Sequence, residues 1–253
     1  RRALPAAPVS MPAVRAIAFG LPLACLFAAA GGYVSLSYEI FFFRTVSFAT
    51  GSSATAFAVT LSAFLVGIAS GSREAGERCE SATRAEIVRG LVDALLKAAL
   101  VGLVFLPLLN LLAWLNRGML GAVIIMVYLV ARYGGALLPC LAEFSVLPDD
   151  RAGTRTAVLY LANILGSATG LIVTGFVLMD CVGLVALATL LVAAGLAVTL
   201  ALIVAFEMAP RQKLQRGAIA VVAGVAAMVA IPPLSQRVLE NLQWKGAAYA
   251  RPF

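Results

Sequence analysis

The chain has 253 residues, of which 62% are hydrophobic and 12% charged, with a formal charge of +7 and a mean hydropathy of +0.99. Soluble domains are roughly 45–50% apolar and roughly 25% charged, so water is not the main solvent of this chain. The sequence contains no histidine, which removes the commonest metal ligand, haem ligand and neutral-pH base, and its basic residues lie in short connections between apolar runs, where they orient a membrane protein rather than bind nucleic acid.

Each crossing of the hydrocarbon core takes about 20 mainly apolar residues as a helix, because every backbone N–H and C=O must be bonded within the segment. Arg1, Arg2 and Arg15 precede an apolar run that starts at Ala16, passes small residues from Ala28 to Gly32 and continues through Tyr33, Val34 and Leu36 to Tyr38. A positive start before an apolar run has the form of a secretory signal. The continuation to Tyr38 reads instead as a retained first membrane helix behind a cytoplasmic segment, 1–15. Further spans are predicted at 53–70, 87–115, 119–144, 156–179, 182–206 and 218–231. The expected fold is all-α, a polytopic helical bundle of about seven transmembrane helices within residues 16–233, followed by an amphipathic tail at 234–253.

Asn116, Arg117 and Gly118 separate the third and fourth spans, and Asp180 with Cys181 separates the fifth and sixth, so both pairs are read as tight antiparallel hairpins. The longest connection, 71–84, carries charge of both signs and is expected to lie in water, and Pro232 with Pro233 closes the last span. With the N-terminus inside, twelve Lys and Arg residues fall on that side (Arg1, Arg2, Arg15, Arg73, Arg78, Arg84, Arg89, Arg151, Arg155, Arg211, Lys213 and Arg216) against five opposite (Arg44, Arg117, Arg237, Lys245 and Arg251). The positive-inside rule then places the N-terminus in the cytoplasm and, after seven spans, the C-terminus outside.

An ionisable side chain inside a span costs several kcal/mol on insertion scales and calls for a partner or a purpose. Glu39 and Arg44 flank Phe41, Phe42 and Phe43 near the end of the first span, which fits an aromatic belt with an ion pair at the helix end and also a polar ligand site at the membrane surface. Asp93 and Lys97 are four residues apart, acid first, the favourable order for an intrahelical pair; a proton or ion relay is the alternative. Arg132 and Glu143 stand either side of Gly134, Gly135 and Pro139, as in an interrupted helix that offers free backbone groups to a ligand, or in a kink with snorkelling charges. Asp180 faces water or caps the next helix.

Gly67 with Gly71 and Gly166 with Gly170 place small residues one turn apart, a pattern for close helix packing. Cys25, Cys79, Cys140 and Cys181 have no paired-ligand spacing and read as small apolar side chains. The sequence has no phosphate loop, nucleophile elbow, dinucleotide fingerprint or metal cluster, so no catalytic residue, metal or cofactor is assigned.

Three stretches together resemble the membrane region of bacterial spermidine-synthase-like proteins: Tyr38-Glu39 through Arg44 to Ser47 and Gly51-Ser52, Phe57 to Ser72, and Leu159 to Ser167 with Gly170 and Gly175. The resemblance covers about residues 20–185. It implies a bacterial inner-membrane location and, in such proteins, an aminopropyltransferase-like domain after the helices, of which these residues carry no motif. Gly71 to Arg78 is also loosely similar to the second-to-third loop of a major facilitator transporter. The favoured expectation is a non-catalytic membrane module, an anchor or an accessory subunit that packs in lipid against other membrane subunits or a second copy of itself. The alternatives are a transporter of a small cationic solute such as a polyamine, with Glu39, Asp93 and Glu143 as counter-charges, and the membrane half of a bifunctional aminopropyltransferase.

Overall fold

The computed structural model describes residues 20–50, 54–115 and 119–244. They form α1 (Leu21–Thr50), α2 (Ala54–Ser81), α3 (Arg84–Trp114), α4 (Met119–Gly134), α5 (Leu137–Ser145), α6 (Ala152–Val173) and α7 (Met179–Cys181), with a π-helical turn at Thr174–Leu178 joining the last two. Then come α8 (Gly183–Ala205), α9 (Pro210–Leu234) and α10 (Val238–Trp244), with no strand among the described residues. Six segments are long and apolar enough to cross a membrane: Leu21–Phe48, Arg84–Trp114, Leu120–Ser145, Ala152–Cys181, Gly183–Ala205 and Pro210–Leu234. The chain is an all-α, multi-pass membrane bundle.

Of the remaining expected span, 53–70, the described part from Ala54 is also helical but continues as α2 to Ser81. The expectation of a long aqueous connection over 71–84 is therefore corrected. The charged stretch stays helical because Arg73 bonds Glu77 (2.8 Å) and Arg78 bonds Glu74 (2.9 Å), each pair one turn apart. The break comes at Thr83, whose backbone N–H donates to the Glu86 carboxylate at 2.8 Å and starts α3.

The fourth span divides at Gly135 and Ala136, beside the expected Gly134 and Gly135, and not at Pro139. Pro139 falls in the first turn of α5, where a missing N–H leaves no bond unmade. Gly135 sits where α2 crosses: a Cβ there would meet the Ile68 carbonyl oxygen at 2.7 Å, and the Ser72 hydroxyl donates to the Gly135 carbonyl (2.9 Å). The turn after α7 likewise falls one residue later than expected, at Val182, and is followed by Gly183, whose φ of 70° favours glycine. Asp180 lies exposed within α7 and does not cap α8.

Glycine sets the two closest crossings. Cβ atoms on Gly166 and Gly170 would collide with the backbone of Ala29 and Tyr33, one turn apart on α1. Those on Gly67 and Gly71 would collide with the carbonyl oxygens of Tyr128 and Arg132, one turn apart on α4. Without a hydrophobic drive in lipid, dispersion across such contacts and local polar bonds hold helices together. On α1 the fully buried Ser37 accepts a hydrogen bond from the Thr174 hydroxyl (2.8 Å) at the start of the π-helical turn and donates to the Gly170 carbonyl (3.4 Å).

The core has two parts. One holds Tyr38, Phe41, Phe42 and Phe105 with residues of α3, α4, α8 and α9 and with Val238 and Leu242 of α10. The other joins the start of α1, the end of α2, α5 and the end of α8 through Phe27, Cys79, Phe144 and Phe206. Of the expected tail, α10 is docked rather than free: Asn241 donates to Asn110 of α3 (2.8 Å), and Asn110 donates to the Leu234 carbonyl (2.9 Å). The segment 1–15, the Asn116–Gly118 connection and the end of the tail lie outside the described residues.

Gly166→Ala and Gly71→Ala should each cost about 1–3 kcal/mol through overpacking against backbone, read as lower thermal unfolding temperatures of the detergent-solubilised protein. Gly153→Ala, at a position with open space around the missing Cβ, should leave unfolding unchanged or slightly raised.

Candidate functional site: a charged cleft between α2, α3 and α4

Polar side chains meet in one cavity of about 340 Å³ lined by α2 (Gly71, Glu74, Ala75, Arg78), α3 (Gly90, Asp93, Ala94, Lys97) and the α4–α5 segment (Arg132, Tyr133, Ala136). Small residues make the room. The bare face of Gly90 lies against the Arg78 guanidinium, which a Cβ would meet at 2.7 Å.

Glu74 is the hub on the α2 side. Its two oxygens accept from different arginines, Arg132 at 2.8 Å and Arg78 at 2.9 Å. Arg132 also reaches the Tyr128 hydroxyl (3.3 Å), which is itself bonded to Ser70 of α2 (3.3 Å). The Arg132 hydrogen bond holds the Glu74 carboxyl below its ordinary range.

Across the cleft, Asp93 is taken by Arg216 of α9 in a bidentate pair, Nε to Oδ1 at 2.7 Å and Nη2 to Oδ2 at 2.9 Å. The intrahelical Asp93–Lys97 pair expected from spacing is corrected by this geometry. A planar guanidinium forks onto both oxygens of a carboxylate, which an ammonium on the same helix does not match. Lys97 instead lies 5.8 Å from the Tyr133 ring centroid, with no anionic partner among the described residues.

Three of the six expected polar residues, Asp93, Lys97 and Arg132, thus share a site. Glu39 and Arg44 do not join it and do not pair with each other. Five helical residues subtend about 500°, which leaves the two side chains on different faces. Arg44 lies over the Phe48 ring at 5.1 Å, and Glu39 is half-buried on α1. Nor are their neighbours an aromatic belt: Phe41 and Phe42 are buried and edge-packed on Phe105 at 5.6 and 4.8 Å, while Phe43 meets Phe57 at 5.0 Å.

Glu143 is on α5, outside the cleft lining. Convergence of Glu39, Asp93 and Glu143 on one cavity would support the polyamine expectation; of the three, Asp93 lines this cleft. Glu74, Arg78 and Arg216 are the members that sequence reasoning missed. The signal for the first two was the acid–base rhythm from Arg73 to Arg78; Arg216 carried none, since its partner is 123 residues away.

Beside the cleft, the buried free thiols of Cys79 and Cys140 lie close together across α2 and α5, a proximity that their separation in the chain does not suggest. Among the described residues no cluster of His, Cys, Asp or Glu has a metal-holding arrangement. Comparison with protein-family models, with curated proteins and with solved structures finds no match to the chain.

Because the folded-state acidity of Glu74 is raised, its contribution to stability is complete above the pKa it has when unfolded and fades as pH falls through its lower folded value. Glu74→Gln should therefore lower the unfolding temperature at neutral pH, and the gap to wild type should narrow on acidification through the carboxylate range.

Proposed function

We propose that this protein is a non-catalytic multi-pass membrane module, an anchor or accessory subunit of a larger assembly, whose cleft binds rather than transforms. The observation that carries this reading is the state of the carboxylates in the cleft. Glu74 and Asp93 are both held by arginines, and a carboxylate fixed in a charge-assisted pair is a poor proton acceptor.

The outer helices support the same reading. In α6 only Leu159, Gly166 and Gly170 are buried, while Leu161, Ile164, Leu165 and Ile172 are 54–60% exposed and Phe176, in the π-helical turn, is 75% exposed. α9 adds Val222, Met228 and Val229 at 63–68%. These faces suit lipid and the apolar flank of a neighbouring subunit. The described residues of the stretches that resemble spermidine-synthase-like membrane regions fall on α1, α2, α6 and the π-helical turn, and α1 packs against both α2 and α6, which favours a shared membrane module. The location proposed is a bacterial cytoplasmic membrane.

The charged end, where Arg84 lies over Phe144 (5.4 Å) and Phe144 meets Phe206 (5.0 Å), faces the cytoplasm in this reading. Cys181, exposed at the end of α7, then lies outside. A membrane-impermeant maleimide should label Cys181 on intact cells, whereas labelling only after lysis would reverse the orientation. Gentle extraction from native membranes should recover the chain in a species heavier than its 26.3 kDa, through a partner or a further domain. Recovery as a lone 26.3 kDa chain would contradict the anchor and accessory roles alike.

A further inference from the structure

Lys97 is a charge of the cleft with no anionic partner among the described residues. It stands about 20 Å along α3 from Arg84, on a helix of 31 residues that at ~1.5 Å per residue is about 46 Å long. That is well inside the span, where an unmatched ammonium is costly. Its neighbour Asp93 is engaged by Arg216, and Glu74 is shared by Arg78 and Arg132. Four cations, Arg78, Lys97, Arg132 and Arg216, therefore surround two carboxylates, Glu74 and Asp93. The lining itself carries one net positive charge, and the cluster carries two when Arg216, which reaches Asp93 from α9, is counted with it.

The cavity of about 340 Å³ is roughly ten times the ~30 Å³ share of one water molecule in the liquid. It has space for a small anion together with the group that carries it. A carboxylate or a phosphodiester brings one negative charge, whereas a phosphate monoester brings about 1.5 to 2 near neutral pH and three acceptor oxygens. The charge of the cluster and the donors available, one lysine ammonium and two arginines lining the same cavity, match the monoester.

We propose that this cleft binds a phosphate monoester, with Lys97 as its principal contact and Arg78 and Arg132 as flanking donors. The proposal rests on the binding role assigned to the cleft above. The same group comes from two sources, a soluble organophosphate entering from the charged end or the headgroup of phosphatidate entering from the bilayer.

The test uses the full chain. Glycerol phosphate is titrated calorimetrically into protein in uncharged detergent, and protein in phosphatidylcholine nanodiscs doped with phosphatidate or with phosphatidylglycerol is assayed for retained lipid by native mass spectrometry. Saturable glycerol phosphate binding identifies a soluble ligand; selective retention of phosphatidate without it identifies the lipid. In either arm Lys97→Gln should weaken binding about tenfold, a loss of ~1.4 kcal/mol. Lys97→Arg should largely retain it, and Arg73→Gln, on an exposed pair outside the cleft lining, should leave it unchanged.

If Lys97→Gln does not fold, acylation of Lys97 in the wild-type protein replaces it: the ligand should protect that amine. Absence of binding in both arms, equal retention of monoester and diester, undiminished binding by Lys97→Gln, or an unprotected Lys97 overturns the proposal. Any of these results alongside a heavier native species removes the ligand while leaving the membrane-module reading in place.

Discussion

Hydrocarbon offers a charge nothing to bond to, so each ionised side chain in a membrane bundle is matched by a partner or reached by water. In this protein the Asp93–Arg216 pair answers that constraint and organises what surrounds it. It ties α3 to α9 with two short bonds and takes Asp93 away from Lys97. On the facing helix, Glu74 in turn ties α2 to α4 through Arg132. The cleft lies between these two ties, and its excess charge is a direct consequence of how they are made.

The apolar packing serves the same arrangement. Gly67 and Gly71 bring α2 onto α4 at backbone distance, and Gly135 lets the chain turn beneath Ile68. Bulkier residues at these crossings would part α2 from α4 and pull Glu74 off Arg132. At the other side of α1, Gly166 and Gly170 admit α6 without any charge, assisted by the Ser37–Thr174 bond. One pair of helices is thus joined through polar contacts lining a cavity. The other is joined through close backbone contact without an ion pair.

Much of the fold was legible because it follows from local sequence. Runs of apolar residues of membrane-crossing length identify helices by themselves, and the two small-residue motifs sit where backbones approach most closely. What the sequence did not disclose depends on helix neighbours. The charged run after Gly71 looked like loop because its composition is polar, yet turn-spaced pairs keep it helical. Asp93 looked matched to Lys97 because they share one helix, but the stronger partner comes from α9. Phe41 and Phe42 looked interfacial from their position beside Glu39 and Arg44, and only the placement of Phe105 makes them core.

Asp93 belongs to Arg216, which leaves Lys97 without an anionic partner among the described residues. Two double-mutant cycles on the detergent-solubilised protein, Asp93→Asn with Arg216→Gln and Asp93→Asn with Lys97→Gln, measure the two couplings side by side. Asp93 should couple to Arg216 by about 1–3 kcal/mol, the range for a charge-assisted pair with partial exposure, and to Lys97 by no more than about 0.5 kcal/mol. A dominant Asp93–Lys97 coupling with additive behaviour toward Arg216 would contradict the account.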